Sequence, residues 1–133
     1  MKRSELREHI FKILFGIEFR KGAEFSEQIE NYMDGEMRDA SGREQEYIKT
    51  KVQRIADQIE EIDGLINEHT KGWKTSRMNK VDLTILRLAV YEMKWDDSVP
   101  VGAAINEAVE LAKKYSGDEG PAFVNGVLAK LAD

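Results

Sequence analysis

Apolar residues recur along this chain at steps of three and four almost throughout, and no stretch alternates strictly over the length of a strand. The pattern predicts an all-α protein of roughly six or seven helices. A first helix is expected from about Ser4 to Lys21 and a short second one from Ser26 to Met33. A long third helix follows "SGRE", where Ser41 and Glu44 have the spacing of a capping box. Its residues Ile48, Val52, Ile55, Ile59 and Ile62 form one narrow stripe, and Gly64 is expected to break or bend it before "LINEHTKGW". Further helices are expected from Val81 to Trp95, from Val101 to Tyr115 and from Pro121 to Ala132, the last with proline suited to a first helical position. Only Pro100 and Pro121 punctuate the chain and no linker or repeat divides it, so residues 1–133 read as one helical domain.

Three of these helices carry more than core-forming pattern. "VDLTILRLAVYEMKW" is apolar nearly all round, which places it at the centre with Glu92 buried and in need of a partner. The first helix has two apolar faces: Leu6, Ile10, Ile13, Leu14 and Ile17 on one side, and Phe11, Phe15 and Phe19 at every fourth residue on the other. Such a helix either lies between two layers of its own protein or offers an aromatic ridge to a partner. In the last helix Val124, Val127, Leu128 and Leu131 form the core face, while Ala122, Gly126 and Ala129 form a second face of small residues suited to close helix contact. Asn106 and Asn125 border the stripes of their helices and are expected to be structural, their amides pairing with neighbouring backbone groups. Phe123 lies off its core stripe, where a part-exposed aromatic can stack on a base.

Charge sharpens this picture more than composition does. The formal net charge is -5, but it is unevenly spread. Residues 1–21 hold six bases against three acids, residues 22–68 five against thirteen, and residues 69–133 nine against nine. The connector from His69 to Lys80 contains Lys71, Lys74, Arg77 and Lys80 and no acid. Two local basic segments can therefore form a nucleic-acid patch within an acidic protein, or serve only as solvated faces.

Other chemistry finds little support. With no cysteine, and with His9 and His69 far apart, neither a disulfide nor a spaced metal-ligand set is expected. The opening "MKRSELREHIFK" is charged, no apolar run approaches a membrane span, and a cytoplasmic protein is the default. "GWKTS" at Gly72 fails as the end of a phosphate-binding loop: tryptophan rather than lysine follows the glycine, and no strand precedes it. No nucleophile is paired with a base, so no catalysis and no cofactor are expected.

"VDLTILRLAVYEM" followed by "VPVGAAINEAVELAKKYSGDEGPAFVNGVLAKL" resembles the bacterial NusB family of transcription antitermination factors, and "RSELREHIFKILFGIEF" is similar to that family's N-terminal helix. The resemblance spans nearly the whole chain, is most specific over residues 81–131 and is weak over residues 22–50. It implies two small helical bundles packed across each other and no catalysis. It also implies a role in ribosomal RNA transcription, through binding of boxA-type RNA with NusE, a small-subunit ribosomal protein, within an RNA polymerase antitermination complex. Position by position it assigns RNA contact to Lys2, Arg3, Arg7, Glu119 and Phe123, and partner contact to Phe15 and Asp82. Glu5 and Glu8 dilute the N-terminal bases here, so weak RNA binding by the isolated protein is expected. The rival reading is a protein-interaction or homodimerisation module that binds no RNA, with the phenylalanine ridge as the self-association surface.

Overall fold

A buried apolar stripe organises the first helix. Ile10, Phe11, Ile13 and Leu14 are withdrawn from solvent along α1, Arg3–Phe15, in a computed structural model that describes residues 1–132. The helix ends earlier than its sequence pattern predicts. At Gly16 the backbone N–H turns to the carbonyls of Ile13 and Leu14, and the chain tightens into a single 3-10 turn over Gly16–Glu18. The phenylalanines are graded as a result: Phe11 is buried, Phe15 half-buried, and Phe19, beyond the helix, is 62% exposed.

Among the described residues seven α-helices and no strands are present, in two compact units, Met1–Asp57 and a second from Gln58 onward. The first unit contains α1, α2 at Ala23–Asp34 and α3 at Gly42–Asp57, with α1 packed on both others. The predicted capping box opens α3. The Glu44 backbone N–H donates to the Ser41 hydroxyl and the Ser41 N–H donates to the Glu44 carboxylate, each at 3.1 Å. These two bonds satisfy N–H groups that a helix start otherwise leaves unpaired.

The break expected at Gly64 falls instead at Gln58, where φ -105° and ψ 9° separate α3 from α4, Ile59–His69. The stripe of isoleucines therefore serves two cores: Ile48, Val52 and Ile55 are buried on α3, Ile62 and Ile66 on α4. Gly64 stays inside α4 on its exposed side, where a glycine costs only about 1 kcal/mol relative to alanine.

The second unit packs α4 with α5 at Lys80–Trp95, α6 at Val101–Tyr115 and α7 at Gly120–Ala132. Helix α5 is its axis. Every residue from Asp82 to Glu92 is buried, as its all-round apolar pattern requires, and Glu92 is 1% exposed. Polar links tie the neighbouring helices to it. Arg87 donates twice to Asp63 on α4, at 2.9 and 2.7 Å, and Lys94 donates at 2.9 Å to the Leu131 carbonyl, an unpaired acceptor at the end of α7.

Close helix approach in this unit comes from α6, whose Ala104, Ala108 and Ala112 are buried. The small face expected on α7 does not supply it: Ala122, Gly126 and Ala129 are exposed, while Val124, Val127, Leu128 and Leu131 fill the core. Asn106 and Asn125 are likewise exposed, so neither is the buried, backbone-pairing amide its sequence position led us to expect.

Candidate nucleic-acid interface

The basic N-terminal segment enters α1 with Lys2 at the N-cap position and Arg3 as the first helical residue, both exposed. Arg7, one helical turn on, is 7% exposed, so the burial that builds the α1 packing face withdraws most of its side chain from solvent. His9 adds no cation at neutral pH. Its ring nitrogen lies 2.7 Å from the Tyr32 hydroxyl, and burial, aided by Lys12, holds its pKa below the ordinary histidine value. Exposed cationic charge on α1 and its N-cap therefore resides in Lys2, Arg3 and Lys12. In the same unit Phe15 rests against Phe19 with ring centroids 5.4 Å apart, leaving an aromatic pair at the surface.

A second candidate surface is built wholly within the second unit. The turn between α6 and α7 meets the start of α5 through Asp82, which is 5% exposed. The Ser116 hydroxyl donates to one Asp82 oxygen at 2.5 Å and the Asn79 side-chain amide donates to the other at 2.8 Å. The Asp82 backbone N–H donates back to the Asn79 side-chain oxygen at 2.8 Å, which caps α5. Gly120 fits here because a side chain would collide: a Cβ at that position would overlap Ser116 and stand 3.3 Å from the Asp82 carboxylate.

Above this junction lies an open cleft of about 560 Å³ lined by Trp73, Asn79, Asp82, Glu119, Phe123 and the turn between them. Phe123 is half-buried on the first turns of α7 and meets Trp73 edge-on, ring centroids 5.7 Å apart. Glu119 is exposed on the rim. The fold thus brings Asp82 together with Glu119 and Phe123, which lie more than thirty residues further along the chain, around one hollow. Their roles separate physically. Phe123 and Glu119 reach solvent, whereas the Asp82 carboxylate is spent on internal hydrogen bonds and offers a docking partner little surface.

Trp73 is the member that sequence reasoning passed over. It is 56% exposed, yet its backbone is fixed. Gly72 turns the chain at φ +80°, a conformation that favours glycine, and the Trp73 N–H donates to the Thr70 carbonyl at 3.1 Å. The signal was present in the connector, where an aromatic stands among four bases and no acid.

Among the described residues no group of histidines and carboxylates could hold a metal ion, and no helix is long and apolar enough to cross a membrane.

Comparison with known proteins agrees with this architecture. The family model described as "NusB family" matches residues 4–133. The transcription antitermination protein NusB of Agathobacter rectalis is 52% identical, covering 99% of this chain and all of that protein. Its counterpart from Lachnoclostridium phytofermentans is 47% identical with both chains fully covered. Among solved structures, NusB of T. maritima superposes with a TM-score of 0.89 at 31% identity, over 99% of this chain and 91% of that one. A crystal structure of antitermination factors NusB and NusE in complex with dsRNA gives a TM-score of 0.84 at 30% identity, over 98% of this chain and 95% of that one. With the match running over nearly its whole length in sequence and in backbone, the chain belongs to the NusB family.

Proposed function

We propose that this protein is a cytoplasmic transcription antitermination factor that catalyses no reaction. It binds boxA-type RNA jointly with a NusE-type ribosomal protein during ribosomal RNA transcription. The observation that carries this reading is the near-complete match, in sequence and in backbone, to NusB proteins, one of them solved together with NusE and double-stranded RNA. The chemistry of the surfaces supports it. Lys2 and Arg3 suit phosphate contacts, which position a strand, and the half-buried Phe123 suits stacking, which every base allows through its flat face. Glu119 on the rim keeps phosphate away from the hollow, so a base rather than backbone enters there. The aromatic pair Phe15 and Phe19 gives a protein partner an apolar anchor.

Removing the Phe123 ring tests the RNA assignment. In the presence of a NusE-type protein, Phe123→Ala is expected to weaken binding of a boxA-type RNA about tenfold or more, since base stacking contributes about 1–3 kcal/mol. Fluorescence anisotropy of labelled RNA measures it. Unchanged affinity contradicts the role given to Phe123. If the unaltered pair binds no RNA, the self-association module is the better reading, and the exposed Phe19 is where that association would begin.

A further inference from the structure

We infer that Trp73 and its flanking lysines form a second RNA contact, in which an unpaired base stacks on the exposed face of Trp73 beside Phe123 while Lys71 and Lys74 hold the phosphates next to it. The inference rests on the RNA-binding reading above and extends it to residues that no sequence resemblance assigned.

Four observations point the same way. First, Trp73 is a large aromatic left 56% exposed, in a unit whose apolar core hides almost every other large apolar side chain. A tryptophan of no use at the surface would be expected to turn inward. Second, its position is enforced. Gly72 takes the left-handed turn, the Thr70 hydroxyl lies 2.8 Å from the Ile66 carbonyl and 2.6 Å from the Trp73 carbonyl, and the Thr75 N–H donates to the Asn67 side chain at 2.8 Å. A backbone already fixed loses little freedom when the ring it carries binds.

Third, Trp73 and Phe123 meet edge-on at 62°, so their faces are not stacked on each other. An aromatic face turned to solvent is the surface that base stacking uses. Fourth, Lys71, Lys74 and Arg77 are exposed, so their charge is available to an external anion. The lining of the cleft itself includes Asp118 and Glu119, both exposed, while the bases flank Trp73 in the connector. This polarity orients the strand, with its backbone on the lysine side and a base in the hollow. A nucleotide, anionic at one end and aromatic at the other, matches that split.

Trp73 also reports on its own occupancy. The other tryptophan, Trp95, is half-buried with its ring stacked near Tyr91 at 6.2 Å, so Trp95→Phe leaves Trp73 as the single emitter. In that background, with a NusE-type protein lacking tryptophan, adding boxA-type RNA is expected to quench the emission as a base stacks on the indole. Trp73→Ala is expected to weaken RNA binding about tenfold and Trp73→Phe far less. Lys71→Gln with Lys74→Gln is expected to lower the slope of log affinity against log salt by about 1.4, at about 0.7 per single-strand phosphate contact. Wild-type affinity for Trp73→Ala together with an unquenched Trp73 overturns the inference; if Phe123→Ala still weakens binding, the reading beneath it stands. A complex that binds no RNA in any form overturns both.

Discussion

Asp82→Lys is expected to destabilise the protein by about 3 kcal/mol or more, lowering Tm by about 10 °C. The Asp82 carboxylate accepts from Ser116 and from Asn79 while 5% exposed. A lysine would leave both donors unpaired, at about 1–3 kcal/mol each, and would bring a cation to the positive end of α5. Asp82→Asn retains one acceptor and one similar shape, so it should cost about 1 kcal/mol. Asp118→Lys, on the exposed rim of the same cleft, should stay within about 0.5 kcal/mol of wild type. Thermal unfolding followed by circular dichroism ranks the three. If Asp82→Lys unfolds like Asp118→Lys, the junction is not the clasp between α5 and the α6–α7 turn described above. The same geometry means that a loss of partner binding in Asp82→Lys would report on folding first, so Phe15 gives the cleaner test of docking.

Phe15→Ala is expected to weaken association with a NusE-type protein about 30-fold, equivalent to the roughly 2 kcal/mol of an interfacial aromatic anchor. Phe15 is half-buried, so part of its ring already faces outward beside Phe19, and its removal leaves α1 anchored by Ile10, Phe11, Ile13 and Leu14. Unfolding should therefore remain cooperative in the variant. Titration calorimetry of the pair, alongside a thermal melt of each protein alone, separates lost docking from lost structure. Unaltered pairing by both Phe15→Ala and Phe19→Ala would move the docking surface elsewhere on the protein.

Much of the fold could be read from period alone. Helices α5 and α6 lie within a residue of their predicted bounds, because an unbroken apolar pattern and a proline at Pro100 mark them. The capping box of Ser41 and Glu44 is realised because it is a local device, its partners three positions apart. What failed depended on tertiary context. The sequence could not show that the isoleucine stripe from Ile48 to Ile62 passes from one core to another, so the helix break appeared to belong to Gly64 rather than Gln58. Helical spacing placed Phe19 in register with Phe15, but the chain had already tightened at Gly16.

The candidate site was legible in a similar way. Phe123 is half-buried, as its position off the core stripe implies, and Glu119 is exposed in the turn before α7. Arg7 and Asp82 are charged side chains that the fold buries, and nothing in a single sequence distinguishes them from solvated neighbours such as Arg3 or Asp118. Asn106 and Asn125 show the converse error: amides expected to be paired inside lie in water. Trp73 was hidden by its distance in sequence from Phe123, fifty residues on, although both line one hollow.

The central claim is that RNA binding is a property of the pair rather than of this chain alone. The protein is acidic overall, Arg7 is mostly buried, burial lowers the His9 pKa, and the exposed bases Lys2, Arg3, Lys12, Lys71 and Lys74 act against that acidic background, so they supply only part of the counterion release that tight RNA binding needs. A basic ribosomal partner would add charge beside them, and by linkage RNA would tighten the protein pair by the same factor. The most direct measurement is the dissociation constant of a boxA-type RNA for this protein alone and for its complex with a NusE-type protein, at one fixed salt concentration. The account predicts at least about tenfold tighter binding by the complex, about 1.4 kcal/mol of coupling, and an equal tightening of the protein pair by RNA. Equal RNA affinity with and without the partner would contradict it.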